Sequence, residues 1–525
     1  MKIDNYGNWT PIVDKIRTVA NKYNLKTYIV GGFVRDLLLG RKPKDLDMMV
    51  EGEGGGMKLA ELIHQEIGGH APVLFPRFGT AKLTIDDQDV EFVAPRKEFY
   101  EEDNRKPKTE VGDLWDDAMR RDFSVNALFI NINNNEVIDL TGHGLEDLQN
   151  HILRVTDTKN PDVIMTQDPL RMLRLIRQSS QLNFSIDPDT YDAVKRNAAK
   201  INTISKERVQ EELNKMLLTD KPSRALLLLR DSGLMNYVLP DLSALEGTEE
   251  EGANDSKNVW SHTLQVVDNS PKNLVVRLAA LFHDMGKPAT KSRTYSVSCP
   301  KCSEKVEYTY KTQPNIGIVC TNGTCGGNRS FKTEKELMEA FPRYDVHFYD
   351  HERVGADKAT KVLRELRYSD DIITAVKALI THHMKGHAYS EDWTDSAVRR
   401  YDRETNPHTN ELLDLTEADV TSKHPEKRKK NTERIQKLRE RIKLLNEQAE
   451  SAKMQSPLDG NDLMAIYNRK PGVWLSKVKN YLLNEVIEGR LQQDDKEGAK
   501  RMLENVDIDT LASSELPIRM SRREV

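Results

Sequence analysis

The run TYIVGGFVRDLLLG (27–40), with DLDMMV (45–50) a few residues on, narrows the possible folds of this chain more than any other feature. TYIV is a short β-like run, Gly31 and Gly32 close it, and FVRDLLLG continues with helical character. That order reads as strand, glycine turn, helix, because glycine takes up backbone angles that other residues avoid. DLDMMV reads as a second strand and DQDVEFVA (87–94) as a further one. Side chains alternate between the faces of a strand, so Asp45 and Asp47, two apart, project together. Glu91 brings a third carboxylate from another strand. Three carboxylates converging on adjacent strands form a cage for two Mg²⁺ ions. The two glycines let the backbone approach a triphosphate, and the helix N-terminus after them favours an anion. Arg35 and Asp36 fall in that helix's first turn. The chemistry such a cage serves is in-line attack of a hydroxyl on an α-phosphate, with pyrophosphate leaving. A D-x-D or a glycine pair alone marks no more than a turn; the combination in this order carries the expectation.

Residues 9–20 add a helical stripe of Trp9, Ile12, Val13, Ile16, Val19 and Ala20, so residues 1–150 read as mixed α/β. From about residue 165 the pattern turns helical, in DPLRMLRLIRQSSQ, KERVQEELNKMLL, LVVRLAALFHDMG and DDIITAVKALITHHM among others. The expected fold class is α+β, and 525 residues suggest three or four domains. No apolar stretch approaches the roughly 18 residues of a membrane span. MKIDNYGNWT also lacks the apolar core of a secretion signal, so a cytoplasmic location is expected. The net charge of −5 does not announce a nucleic-acid partner, which would have to meet a local basic surface.

YIVGGFVRDLLLGRKPKDLD resembles the head-domain signature of class II tRNA nucleotidyltransferases and bacterial poly(A) polymerases, in the polymerase-beta superfamily. APRKEFYEEDNRKPKTEVGDLWDDAMRRDFSVNALFIN resembles that family's flexible loop and R-R-D-F motif, and QDPLRMLRLIR its nucleobase-reading helix. DLTGHGLEDLQNHILR and SKERVQEELNKML are similar to its hinge and neck, so the likeness covers about 27–240. The resemblance implies Asp45 and Asp47 as Mg²⁺ ligands with Glu91 as the third acidic position. It implies Arg120, Arg121, Asp122 and Asn126 on the sugar and phosphates, beside Gly31, Gly32 and Arg35. Asp168 and Arg171 would read the base edge of CTP or ATP, while U and G would leave polar groups unpaired. The family has Glu before that Asp; here it is Gln167. The loop between Arg96 and Asp116 is of full length, which in the family accompanies addition of the final A. The expected partner is therefore tRNA, with poly(A) addition as the alternative.

His262 precedes the adjacent pair His283 and Asp284, and His347, His351, His382, His383 and Asp419 follow. Histidines and aspartates spread across helices of one bundle can bind a divalent metal. The string resembles the HD phosphohydrolase domain attached to tRNA nucleotidyltransferases. By that analogy His262, His283, Asp284 and Asp419 form the core set for Ni²⁺, Mn²⁺ or Mg²⁺, with His351 and His382 assisting. Hydrolysis of phosphoesters such as 2′,3′-cyclic phosphates is then expected, and a helical scaffold for RNA is the bland alternative. An HD hydrolase with an inactive head is a further alternative.

All four cysteines lie in one segment: Cys299-x-x-Cys302, then Cys320-x4-Cys325. A redox pair is one reading; the two-plus-two spacing favours structural Zn²⁺. Residues 296–340 read as a zinc ribbon inserted in the HD domain. Between 423 and 443 ten Lys/Arg meet three Glu, a local balance of +7. Lys427, Arg428, Lys429, Lys430 and Arg434 are the candidates for RNA phosphates; an exposed charged helix is the plain alternative. The expected order is head (1–150), neck (151–245), HD domain (246–425) and a helical, tRNA-binding tail (426–525).

Overall fold

The computed structural model describes residues 1–99, 108–248, 258–299, 301–303, 305–310, 316–319, 328–340, 344–421, 424–452, 455–504, 506–508 and 511. They form two units, Met1–Ser243 with Glu365–Arg367, and Ala244–Arg364 with Tyr368–Val525. Among the described residues no helix is long and apolar enough to cross a membrane.

Up to Asp139 the described residues of the first unit form nine strands: β1 (Thr27–Val30), β2 (Leu46–Val50), β3 (Val73–Phe75), β4 (Thr80–Ile85), β5 (Gln88–Val93), β6 (Arg96–Phe99), β7 (Lys108–Val111), β8 (Leu128–Asn131) and β9 (Glu136–Asp139). Seven make one sheet in the order β3-β4-β5-β2-β1-β8-β9, while β6 and β7 pair separately. All four residues of β1 are buried, as suits a strand with neighbours on both sides. The expected helix runs from Thr10 to Lys22 and buries Ile12, Val13, Ile16, Val19 and Ala20.

β2 and β5 pair in parallel, whereas the other ladders of this sheet are antiparallel. Parallel neighbours need a crossover, and the helix Gly55–Ile67 lies in this connection. A Cβ at Gly56 would sit 2.8 Å from the Val93 nitrogen and 2.9 Å from the Phe92 carbonyl carbon. The bare glycine therefore lets the helix rest directly on β5. Neck helices follow, chiefly Leu170–Leu182, Lys206–Leu217 and Pro222–Asp231.

The second unit holds a helical bundle: Val259–Asn269, Leu274–Phe282, His351–Glu365, Asp370–His387, Asp395–Thr405 and Thr409–Ala418. The long helix Pro425–Ala452 packs its apolar seam of Ile435, Leu438, Ile442 and Leu445 inward. Three tail helices, Gly460–Tyr467, Val473–Ile487 and Lys496–Leu503, enclose a core around Trp474, Val478, Leu482 and Leu503. Between the bundle's second and third helices, strands Lys291–Ser298, Lys305–Tyr310 and Tyr344–Phe348 form one small sheet. Ile316–Val319 and Asn328–Phe331 form a hairpin beside it in sequence.

Gly56→Val should lower head stability by about 1–3 kcal/mol, because the added carbons meet backbone that can move only with β5. Chemical denaturation should show the loss, and an unchanged midpoint would mean that the helix sits off the sheet.

Candidate functional site

In the first unit, backbone pairing does the positioning. Asp47 on β2 lies directly beside Glu91 on β5, and Asp45, just before β2, shares the face of Asp47. Asp45 and Glu91 are exposed and Asp47 is half-buried. Burial, then the charges of Glu91 and Asp45, push the Asp47 carboxyl up to about 6, against the pull of Arg121. Gly31 caps the helix Gly32–Leu38 at φ 75°, a left-handed value that disfavours side chains. A Cβ there would lie 3.2 Å from Arg121 Nη1 and 3.9 Å from Asp47 Oδ2. The glycine turn, the D-x-D and Arg121 thus line one small space.

Asp117 is fully buried, a position that the sequence reading passed over. One carboxylate oxygen accepts from Arg120 Nε at 2.8 Å and the other from Arg121 Nε at 2.9 Å. The spacings i+3 and i+4 on the helix Leu114–Met119 and its end make this fork possible, and they were present in the sequence as a signal. Asp122 is likewise buried. Burial raises its carboxyl, but Arg174 and the Asn126 amide outweigh that and hold it below the usual range. Asn126 passes the network on, accepting from Arg35 Nη1 at 2.7 Å and donating to Asp122 Oδ1 at 2.8 Å.

The base-reading candidates sit differently from each other. Asp168 is half-buried and accepts from Arg208 Nη2 at 3.2 Å. Arg171 is buried and turned inward, donating to the Ile164 carbonyl at 3.2 Å and the Arg120 carbonyl at 2.5 Å.

In the second unit, six side chains converge. His262 Nε2 lies 3.2 Å from His283 Nε2 and 2.9 Å from Asp419 Oδ1. His283 Nε2 is 3.1 Å from Asp284 Oδ2, while Asp284 Oδ1 is 3.6 Å from His351 Nε2. His351 Nε2 in turn meets His383 Nε2 at 3.2 Å. Two ligand groups result, His262–His283–Asp284 and Asp284–His351–His383, with Asp284 in both. The Nδ1 atoms of His283, His351 and His383 lie 2.8, 2.7 and 2.7 Å from the carbonyls of Ala280, Phe348 and Ile380. A carbonyl only accepts, so each Nδ1 carries a proton and each Nε2 faces the cluster.

Here the structure corrects the sequence reading. His383 joins His351, whereas His382 is a half-buried neighbour whose Nδ1 has no hydrogen-bond partner. Adjacent residues on a helix point about 100° apart, and in this helix it is His383 that is turned toward His351. His387 was also missed; its Nε2 lies 2.9 Å from Asp419 Oδ2.

Burial pushes the Asp284 and Asp419 carboxyls up, but His283 and Lys287 for the one, His262 and His387 for the other, hold them well below the usual range. Burial lowers His283, but Asp284 and Asp419 raise it to about 9, while His383, buried beside it, is pushed down to about 3.

Cys299 is buried, and its Sγ accepts from the Lys301 backbone N–H at 3.4 Å. Cys302 is exposed; Cys320 and Cys325 lie outside the described residues. On the long helix, Lys427, Arg428, Lys429 and Lys430 are exposed. Arg434 is corrected from RNA contact to brace: it is half-buried and donates to the His387 carbonyl at 3.2 Å, capping the end of another helix.

With this geometry in place, similarity to known proteins can be read. Residues 27–154 match the family Poly A polymerase head domain, 183–245 the RNA and SrmB-binding site of polymerase A, and 348–497 tRNA nucleotidyltransferase domain 2. The CC-adding tRNA nucleotidyltransferase of Thermus thermophilus is 30% identical over 68% of this chain and 68% of its own length. The mitochondrial CCA tRNA nucleotidyltransferase of Candida glabrata is 26% identical over 87% of this chain and 86% of its own. Two other fungal relatives are matched over about half their length, 50% and 44%. The solved Bacillus stearothermophilus CCA-adding enzyme in complex with CTP shares the fold, with a TM-score of 0.59 at 19% identity over 95% of this chain and 97% of that one.

The raised Asp47 carboxyl has a consequence for stability in chelator. Folded, it holds a proton to about pH 6; unfolded, only to 3.8. The folded state binds more protons between those values, so stability is lost as pH rises from about 4 to 6. Asp47→Asn should therefore be more stable than the parent at pH 7 by about 1–2 kcal/mol, and show little gain at pH 4. Denaturation in chelator at both pH values measures this, and equal gaps would mean that the fold does not raise the Asp47 carboxyl.

Proposed function

The chain belongs to the family of tRNA nucleotidyltransferases and poly(A) polymerases that share this head domain, and from that premise we propose that it adds and repairs the 3′-terminal CCA of tRNA, using CTP and ATP without a nucleic-acid template. The observation that carries the reading is the set Asp45, Asp47 and Glu91 beside Gly31 and Arg121. Crowded carboxylates, one with its pKa pushed up, fit a divalent cation that relieves their repulsion. Asp45 and Asp47 would hold Mg²⁺, with Glu91 alongside. Bound there, Mg²⁺ neutralises triphosphate charge and lowers the pKa of the attacking 3′-hydroxyl.

The rest falls to the chain itself. Gly31 and Gly32 leave room for the phosphates. Arg120 and Arg121, aimed by Asp117, present guanidinium charge to them, and the Arg35–Asn126–Asp122 network holds the ribose side. Asp168 accepts from the amino group of C or A. Arg171 donates to a ring acceptor by exchanging one of its two carbonyl bonds for the base.

The relatives divide between CC addition, A addition, CCA addition and poly(A) synthesis. The full-length segment between Arg96 and Asp116 supports A addition after the two C residues. The match of 348–497 to a tRNA nucleotidyltransferase domain supports tRNA over poly(A) chemistry.

Two more sites accompany this activity. The imidazoles of His262, His283, His351 and His383, with Asp284 and Asp419, suit Ni²⁺, Mn²⁺ or Mg²⁺, because the Nε2 atoms converge on both oxygens of Asp284. A cation held there would supply an activated water for phosphoester hydrolysis. Lys287, 2.7 Å from Asp284 Oδ2, orients that carboxylate. Cys299, Cys302, Cys320 and Cys325 suit Zn²⁺ by residue type and spacing.

Incubating tRNA that lacks CCA with Mg²⁺ and each nucleotide alone and mixed tests the transferase. Two C additions followed by one A are expected; long A tails or arrest after CC would sink the reading. Asp45→Ala or Asp47→Ala should lower incorporation by about a hundredfold or more.

Asp284→Asn should abolish hydrolysis of a nucleoside 2′,3′-cyclic phosphate in Mn²⁺ or Ni²⁺ and leave CCA addition within about twofold. Hydrolysis that survives this change would place the activity elsewhere.

A further inference from the structure

We infer that the cations at the start of the helix Pro425–Ala452 form a landing strip that guides a single-stranded RNA end into the histidine–aspartate cluster. The inference rests on the phosphohydrolase reading above.

His387 and Asp419 are the more exposed of the side chains gathered here. They are 25% and 12% exposed, against 9% for His262, 8% for His351 and 1% for His283 and Asp284. The Asp419–His387 rim is thus a place where a phosphate can meet the site.

The long helix begins at that same rim. Gln436 donates to Glu417 at 2.6 Å and Arg439 to Asp414 at 2.8 Å, so the helix runs antiparallel to Thr409–Ala418. Stepping back from Gln436 toward its start therefore moves past Glu417 toward Asp419 and Thr421. Arg434 already touches the His387 carbonyl at 3.2 Å, and Thr421 Oγ1 is 2.9 Å from His262 Nδ1. Lys430 lies one turn before Arg434, about 6 Å along the axis.

Charge separates the two ends of this helix. Lys437, Arg439 and Arg441 are paired with Glu391, Asp414 and Asp395 at 2.7, 2.8 and 2.6 Å. These pairs neutralise the middle of the helix and tie it to the bundle. Lys427, Arg428, Lys429 and Lys430 are exposed, and Lys429 lies in a loose ion pair with Glu433 at 3.9 Å. Four consecutive helical residues, about 100° apart, surround the axis, so some face the rim whatever the roll of the helix. A phosphodiester chain is the ligand that uses such a collar, and a single strand can thread its terminal phosphate past Asp419.

The test compares the parent with the combined variant Lys427→Ala, Arg428→Ala, Lys429→Ala, Lys430→Ala. Two substrates are used in Mn²⁺: a short oligoribonucleotide ending in a 2′,3′-cyclic phosphate, and the mononucleotide 2′,3′-cyclic phosphate. The variant should lose about tenfold in kcat/KM on the oligonucleotide, with a shallower salt dependence, and keep its rate on the mononucleotide. No loss on the oligonucleotide, or equal loss on both, overturns the inference. So does a rise in tRNA KM for CCA addition with oligonucleotide hydrolysis intact, which would assign the collar to tRNA. A binding arm needs no turnover: affinity for a 3′-phosphorylated oligonucleotide in Mn²⁺ should fall both in the variant and in Asp284→Asn. If neither substrate is hydrolysed by the parent, the phosphohydrolase reading fails; the inference fails separately if the variant binds the oligonucleotide as tightly as the parent.

Discussion

The backbone pairing of β2 with β5 sets Asp47 abreast of Glu91 and holds two like charges together that would part in a flexible chain. Much of the head serves this contact. A parallel pair needs the crossover, and the crossover helix can lie close only because Gly56 offers no side chain to Val93 and Phe92. β1 on the other side of β2 brings the Gly31 turn to the same edge, and Arg121 supplies the positive charge that offsets part of the repulsion. Burial first, and then the repulsion that Arg121 leaves uncompensated, raises the Asp47 carboxyl. A pair of carboxylates that destabilises the ion-free fold is preorganised for a cation, since no reorganisation is needed when the ion arrives.

The second unit solves a related problem with different chemistry. Its carboxylates Asp284 and Asp419 are buried among imidazoles, and three of those imidazoles have their tautomer fixed by carbonyls of their own helix or of the segment just before it. That is a backbone device: the carbonyl three residues earlier in the chain accepts from Nδ1 and leaves Nε2 pointed at the centre. The ring orientation therefore follows from helix geometry rather than from packing alone. His262 differs, since its Nδ1 meets the Thr421 hydroxyl, which can donate or accept. The two ligand groups that share Asp284 are thus held by unequal means.

What was legible in the sequence follows from what depends on local order. Strand, turn and helix around Gly31, the shared face of Asp45 and Asp47, and the apolar seam of the long helix all rest on periodicity, which one segment carries by itself. The choice between His382 and His383 does not: it depends on the roll of one helix against His351, 32 residues before His383 in the chain. The role of Arg434 was hidden for the same reason. In a run of cations nothing local tells which one meets a carbonyl of another helix. Arg171 was read from its motif as a donor to a base, and its present partners, the carbonyls of Ile164 and Arg120, come from segments that only the fold brings near. Asp117 is the instructive middle case, because its spacing to Arg120 and Arg121 was visible, while its burial, which makes the fork matter, was not.

Charge shows most clearly why a sum along the sequence misleads. The chain carries −5 overall and +7 between residues 423 and 443, and neither figure describes a surface. Lys437 meets an acid in a turn of the bundle, and Arg439 and Arg441 meet acids on neighbouring helices, so much of the local excess is spent on holding the helix to the bundle. Exposed pairs of this kind add little stability each. Their larger effect is to fix the roll of the helix so that its seam stays buried and its first turns keep their cations in water. Attraction for phosphate is then set by where the fold leaves cations exposed, as at the start of this helix, not by the count of lysines and arginines in the segment.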